Sequence, residues 1–321
     1  MRKLFGMFAA LGLVTGLATA QAVKLDAGLK PYTKVEGVSG TAKSIGSDTM
    51  NNEMALWLEG FKKHYPSVSI EIEGKGSGTA PPALIAGTAQ FGPMSRKMKS
   101  SEIDEFEKKF GYKPTEIATS IDMLAVYVHK DNPIKSLTMQ QVDAIFSSTR
   151  KGGNSTDIVT WGDLGLTGEW ATKPISLYGR DSASGTYGYF KEHALFKGDF
   201  KPTVKEQKGS SFVVQAVAGD KFGIGYSGIG YMTADVRAVP LAPDTSIPAV
   251  EASPEKAYSG EYPLARFLYI YVNKKPGEPL DPLSHEFLRY VLSSDGQADV
   301  VKDGYFPLTA KLAEGQSVKL K

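Results

Sequence analysis

From Gly40 onward the chain alternates between stretches of strand period and stretches of helix period, and few architectures accept that pattern. Val68, Ile70 and Ile72 alternate with Ser69, Glu71 and Glu73, which predicts a strand with one buried face. Met50, Met54, Trp57, Leu58, Phe61 and Tyr65 recur at helical spacing, so about 49–64 is an amphipathic helix that Pro66 ends. Met123 to Val128 and Phe267 to Val272 are continuous apolar runs, the mark of strands buried on both faces. Alternating β and α elements predict an α/β fold, a largely parallel or mixed sheet covered by helices.

The spacing places further helices after Pro81 and Pro82 up to Gly87, from a Ser101 cap to Phe110, and from Thr138 to Phe146. Thr138 and Gln141 form a capping box for the last of these. Later helices start near Thr186 and span Phe212 to Val217 and Ser284 to Leu292, with strands at Ile175 to Tyr178 and Phe222 to Tyr226. Residues 23–40, polar and broken by glycine and proline, are expected to be a loose lead-in.

The N-terminal residues stand apart. Arg2 and Lys3 precede an apolar run from Leu4 to Leu17, and Ala18-Thr19-Ala20 has the small-x-small pattern of a cleavage site. Residues 1–20 are therefore expected to be a secretory signal peptide, cut after Ala20 or, as second choice, Ala22. The run falls short of the ~20 apolar residues a comfortable span requires. The chain contains no cysteine, which excludes a lipid anchor on cysteine, disulfides and thiolate metal sites. A periplasmic protein, not lipid-anchored, is the expectation.

The chain carries 37 basic and 35 acidic side chains; losing Arg2 and Lys3 leaves 35 against 35. That balance argues against a nucleic-acid partner. An anion, if bound, has to be held by local groups.

Three segments share one design suited to that. Gly46-Ser47-Asp48-Thr49, Gly76-Ser77-Gly78-Thr79 and Ser182-Ala183-Ser184-Gly185-Thr186 each follow a predicted strand and precede a helix. A helix start leaves backbone N–H groups unpartnered and partly positive, glycine admits close approach, and hydroxyls add donors. Each segment alone is equally an ordinary cap or turn. None carries the Gly-Lys-Ser/Thr ending of a nucleotide-phosphate loop. Arg180, leading into the third segment, offers a fork that pairs two oxygens of an oxyanion, with Asp181 beside it as a steering charge. Ser95 and Arg96, in Phe91-Gly92-Pro93-Met94-Ser95-Arg96, are further candidates, Arg96 for the site or its rim.

At these residues the sequence resembles the substrate-binding proteins of bacterial phosphate ABC importers, over nearly all of the chain after the leader. The most specific block is Gly179-Arg180-Asp181 through Ser184-Gly185-Thr186; Trp161-Gly162-Asp163, Gly223-Ile224-Gly225-Tyr226 and Tyr262 to Arg266 also fit. The resemblance implies a type II periplasmic-binding-protein-like fold, two α/β lobes joined by two hinge strands. Residues 37–121 plus 268–321 would form one lobe and 122–267 the other. It implies phosphate in the cleft, a membrane permease as partner, and ligand contacts at Asp48, Thr49, Ser77, Ser95, Arg180, Ser184, Gly185 and Thr186, with Ser47 added as a donor from the residues themselves. Some members have, where this chain has Ser95, an aspartate that accepts a hydrogen bond from protonated phosphate; Asp48 is the residue that could take over that role.

The expectation is thus a monomeric binder, not an enzyme, with no cofactor and no metal. An exported phosphatase using the same cradle, or a binder of another tetrahedral oxyanion, is the alternative, and a structural or adhesive protein a third. Catalysis would want an activated nucleophile or a metal. His64, His129, His193 and His285 are scattered, and Ser47, Ser77 and Ser184 have no basic neighbour in sequence. Trp57 belongs to an apolar stripe and is expected in the core, while the sequence leaves Trp161 and Trp170 open.

Overall fold

A computed structural model describes residues 23–321; the leader predicted over residues 1–20 lies outside the described residues. In chain order the elements are β1 (Thr41–Gly46), α1 (Asn51–His64), β2 (Ser69–Gly74), α2 (Ala80–Ala86), β3 (Gly92–Met94), α3 (Ser100–Phe110), β4 (Thr115–His129), β5 (Leu137–Thr138) and α4 (Met139–Phe146). Then follow β6 (Ser176–Arg180), α5 (Gly185–His193), β7 (Lys205–Gln207), α6 (Ser210–Ala218), β8 (Gly223–Gly228), β9 (Val236–Ala238) and β10 (Leu241–Ala242). The chain ends with α7 (Pro254–Ser259), β11 (Ala265–Val272), α8 (Pro282–Val291), α9 (Ser294–Asp303) and α10 (Ala310–Ser317).

The largest sheet has the order β3-β11-β4-β8-β6-β7, with β9 also on β4. β4 holds it together. Its first part, Thr115 to Met123, pairs antiparallel with β11; its second, Leu124 to His129, pairs with β8 and β9. A strand this long with neighbours on both sides has almost no solvent-facing position, and residues 117–128 are all buried. That explains why its middle is a continuous apolar run. The sheet is mixed: β6 runs parallel to β7 and β8, while β11 and β4 are antiparallel. β1 and β2 form a separate parallel pair.

Helices cover each half of the sheet. Phe106 of α3 and Leu84 of α2 pack with Met94, Ala118 and Tyr271 on the β3–β11 side. Val213, Val214 and Val217 of α6 pack with Ala125, Tyr127 and Tyr178 on the β8–β6 side. The largest cluster runs between them and takes in Trp57, Phe61, Phe91 and Phe287. Burying a large apolar side chain is worth about 1.5–3 kcal/mol.

Local signals act as the sequence predicts at several ends. Thr138 Oγ1 accepts from Gln141 N at 3.2 Å, and Gln141 Oε1 accepts from Thr138 N at 2.9 Å. Gly87 closes α2 in the left-handed conformation. Two expectations are corrected. Helix α3 starts before Ser101, at Ser100, and its first turn is closed by Glu102, whose carboxylate accepts from Lys99 N at 2.8 Å. Residues 23–40 are not loose: Tyr32 Oη donates to Glu286 and pairs with Tyr65 Oη, each at 2.8 Å, and Lys30 O accepts from Ser294 N. The polar composition of that lead-in hid the few apolar anchors, Leu29, Tyr32 and Val38, that bury it.

All three tryptophans are interior. Trp57 donates to Gly296 O at 2.9 Å. Trp161 and Trp170 meet edge to face, 5.9 Å between ring centres, and Trp161 donates to Phe222 O. Among the described residues no helix is long and apolar enough to cross a membrane.

Candidate functional site

The loops that follow β1, β2, β3 and β6 meet at one place. Two backbone links fix the approach of the second and fourth. Gly78 N donates to Ala183 O at 3.0 Å. Gly76, with φ +105°, lies so close that a Cβ there would stand 2.6 Å from Ala183 O. Only glycine allows both the backbone angle and the contact.

Of the nine predicted residues, eight are brought into three direct groupings. Ser77 and Ser95 lie with their hydroxyls 3.3 Å apart, both against Gly185. Thr49 Oγ1 and Thr186 Oγ1 are 2.9 Å apart. Asp48 Oδ2 lies 3.4 Å from Arg180 Nη2. Ser184 joins these as the N-cap of α5, on the same turn as Gly185 and Thr186. Ser47 is buried in the first loop, its N–H donated to Pro93 O at 2.8 Å; its hydroxyl makes no capping bond.

The hydroxyls are oriented by what they accept. Ser77 Oγ accepts from Ser95 N at 3.0 Å. Ser184 Oγ accepts from Thr186 N and Tyr187 N. Thr186 Oγ1 accepts from Arg266 Nη2 at 2.9 Å. A hydroxyl that accepts from inside the protein still has its own hydrogen to give. Those acceptor roles leave the hydroxyl hydrogens of Ser77, Ser184 and Thr186 to be given to a neighbouring hydroxyl or to a ligand.

Arg180 is the largest charge there and is 1 % exposed. Its Nη1 donates to Ser210 Oγ at 2.7 Å, and its backbone N–H donates to Tyr226 Oη at 3.2 Å. Burial pulls the guanidinium below the usual arginine range; Asp48 and then Asp181 oppose that shift. Asp48 also accepts from Ser210 N at 2.8 Å, so one carboxylate ties the β1 loop to the start of α6.

Two further candidates sit less centrally. Arg96 lies beside α5, where a Cβ at Gly188 would stand 3.3 Å from its Cδ, and makes a two-pronged pair with Glu102, at 2.8 and 2.7 Å, at the start of α3. Asp181 acts on Arg180 as a second charge after Asp48. Its Oδ1 accepts from Ala183 N and Ser184 N, each at 3.2 Å, and shapes the turn.

Several residues at the site escaped the sequence reading. Ser210 opens α6 after β7, whose Lys-Glu-Gln carries no apolar signal, so its strand–turn–helix setting was invisible. Tyr231 Oη donates to Asp48 O and Tyr305 Oη to Thr49 O, at 3.0 and 2.9 Å. Arg266 and Asp122 form a buried pair on β11 and β4, with Nη2 to Oδ2 at 2.8 Å. Lone polar residues in apolar runs are the signal that could have found this pair.

The arrangement supplies donors, the buried charge of Arg180 and the carboxylate of Asp48, a set suited to a small oxyanion that still carries a proton. No histidine forms a hydrogen bond with a site residue among the described residues: His129 accepts from Asp131 N and His285 pairs with Glu286. Nor, among them, do three or more His, Asp or Glu side chains gather as a metal site.

A model of the PBP superfamily domain matches residues 33–295. The chain is 59% identical to the phosphate-binding protein PstS of Pseudomonas aeruginosa, over 97% of both chains. It is 29% identical to the phosphate-binding protein PstS of Staphylococcus epidermidis, over 88% of this chain and 84% of that one. Among solved structures, one from Clostridium perfringens, described as a phosphate ABC transporter substrate-binding protein with bound phosphate, superposes with a TM-score of 0.72. It is 27% identical, covering 84% of this chain and all of that one.

Proposed function

The chain belongs to the PBP superfamily and, within it, to the family of the phosphate-binding proteins PstS, and from that footing we propose that it captures inorganic phosphate in a cleft between two α/β lobes and delivers it to the permease of an ABC importer. The reading makes the protein a monomeric periplasmic binder, not an enzyme and not lipid-anchored. The single observation that carries it is the buried Arg180 guanidinium beside Asp48, on loops whose neighbouring residues Thr49 and Thr186 bring their hydroxyls within 2.9 Å of each other.

The lobes of this proposal are residues 37–121 plus 268–321, and residues 122–267. What supports that division is β4, which pairs with β11 up to Met123 and with β8 from Leu124. Under it, Ser47, Asp48, Thr49, Ser77 and Ser95 approach phosphate from one lobe. Arg180, Ser184, Gly185 and Thr186 approach from the other. Asp48 supplies the acceptor for a phosphate proton, the role an aspartate at the position of Ser95 has in some family members.

The energetics are sufficient. Hydrogen bonds to charged groups are worth about 1.5–3 kcal/mol each. Micromolar affinity requires about 8 kcal/mol, so several such bonds leave a surplus to offset desolvating the anion and ordering the closed state.

Calorimetry of phosphate, sulfate, arsenate and molybdate against the protein without its leader tests the reading. Phosphate is expected to bind most tightly, and R180A to lose at least about 3 kcal/mol, roughly a hundredfold, with its fold intact. Equal binding by R180A and wild type would refute the site. A phosphate-ester hydrolysis assay with and without divalent metal separates the binder from a phosphatase.

A further inference from the structure

Arg266 and Asp122 face each other directly across the β4–β11 ladder. Both are buried: the Asp122 side chain has no exposed surface, and the Arg266 side chain is 2 % exposed. Asp122 Oδ2 accepts from Arg266 Nε at 3.0 Å and from Nη2 at 2.8 Å, while Asp122 Oδ1 accepts from Ile229 N at 3.1 Å. The guanidinium also lies over the Tyr189 ring, 5.2 Å from its centre. Arg266 Nη1 is buried with no hydrogen-bond partner among the described residues.

Stability alone does not explain this pair. The cost of taking two charges out of water often cancels their attraction, and well-packed apolar residues do as well or better. Its placement offers another reason. Nη2 continues past Asp122 to Thr186 Oγ1, and Thr186 Oγ1 lies 2.9 Å from Thr49 Oγ1. One connected line therefore runs from the strand ladder through Arg266 to a hydroxyl of the anion cradle. By donating to that oxygen, the guanidinium leaves Thr186 its own hydrogen to give and strengthens it as a donor.

We propose that Arg266, held in orientation by Asp122, is a positioning residue for anion capture that acts through Thr186, fixing that hydroxyl as a donor into the cleft. The proposal rests on the phosphate-binding reading above. It makes the β4–β11 crossing part of the recognition machinery, although neither Arg266 nor Asp122 has to touch the anion.

The test uses inorganic phosphate calorimetry and thermal melting without phosphate, on the full chain after its leader. R266Q/D122N removes both charges while keeping a hydrogen-bonding group at each position. It is expected to melt close to wild type and to bind phosphate about tenfold to a hundredfold more weakly. T186V is expected to weaken binding by a similar factor. Combining it with R266Q/D122N should add little, since one hydroxyl mediates both losses. Wild-type affinity in R266Q/D122N overturns the proposal, as does full additivity with T186V. Should the pair variant fail to fold, R266K decides. A single ammonium keeps the charge but cannot serve Asp122 and Thr186 as the fork does, so weakened binding supports the proposal and unchanged binding overturns it. If wild type binds no phosphate while R266Q/D122N melts normally, the functional reading has failed along with it; if wild type binds and the variants bind equally well, only the role of Arg266 has failed.

Discussion

The backbone of Gly185 stands directly against the hydroxyl of Ser77: a Cβ at Gly185 would lie 2.2 Å from Ser77 Oγ, 2.8 Å from Ser77 Cβ and 2.6 Å from Ser95 Oγ. Gly185 lies 90 positions from Ser95 and 108 from Ser77 in the chain. The side-chain hydrogen of Gly185 is therefore part of how closely the loops approach.

G185A is expected to weaken phosphate binding about tenfold or more while changing the melting temperature without phosphate little. Alanine is a better helix former than glycine, by about 1 kcal/mol in a helix interior. The clash is felt only when the two loops are in contact. Calorimetry with parallel melting checks this. Unchanged affinity would mean that the contact with Ser77 and Ser95 is not required for binding.

Asp48 is expected to set selectivity between protonated and unprotonated oxyanions. Its carboxylate accepts from Ser210 N at 2.8 Å and lies 3.4 Å from Arg180. An additional unprotonated oxyanion oxygen facing it leaves an acceptor without a donor, at about 1–3 kcal/mol or more. D48N presents an amide that can donate. The phosphate-to-sulfate affinity ratio should therefore fall about tenfold, measured by titrating both ions. A ratio equal to wild type would remove Asp48 from that role.

Asp303 gives the protein a pH-dependent contribution to stability. Burial first, and then the charge of Asp122, push its carboxyl up from 3.8 to about 7. Glu53, Tyr231 and Tyr305 share this neighbourhood. Glu53, wholly buried with no hydrogen-bond partner for either oxygen among the described residues, is also raised well above its ordinary value by burial and by Asp303. The folded state holds the Asp303 proton more tightly than the unfolded chain does. Its favourable contribution is thus present in full below about pH 4 and is lost as pH rises through 7. Melting curves from pH 4 to 8 should show wild type losing stability relative to D303N across that window. A difference that does not change with pH would contradict the assignment.

T138A is expected to cost about 1 kcal/mol of stability through loss of the α4 cap. Thr138 Oγ1 accepts from Gln141 N, and among the described residues no side-chain hydrogen bond joins this pair to an anion-site residue. Urea unfolding should register the loss, with phosphate affinity unchanged. A loss of affinity would show that α4 is coupled to the cleft.

Much of the fold was legible because its signals are local. The 3.6-residue spacing of Met50, Met54, Trp57 and Phe61 marks α1, and all four side chains are fully buried. The Thr138–Gln141 box and the glycine after α2 place helix ends within a residue. Reading failed where the signal was short or mixed. The lead-in around Tyr32 is held by three buried side chains among many polar ones, and β7 has no apolar residue. Trp161 and Trp170 sit in a turn-rich stretch that packs against Phe222, more than fifty positions away.

The cradle residues were readable for a related reason. Serine, threonine and glycine between a strand and a helix are chosen by backbone geometry within a few positions, and Arg180 adjoins one such turn. Charge pairing was not readable. Asp181 is the neighbour of Arg180 in sequence, yet Asp48 is the carboxylate that approaches it. Arg96 lies beside Ser95, yet its guanidinium turns to Glu102.

The sequence by itself determined the elements, their caps and the chemical character of the loops, because each depends on residues within about one helical turn or one strand. Tertiary structure alone decided which loops meet, which acid partners which arginine, and that Arg266 reaches Thr186. Those outcomes follow from the register of β4 against β11 and β8, and a ladder between strands more than ninety residues apart leaves no trace in the spacing along either one.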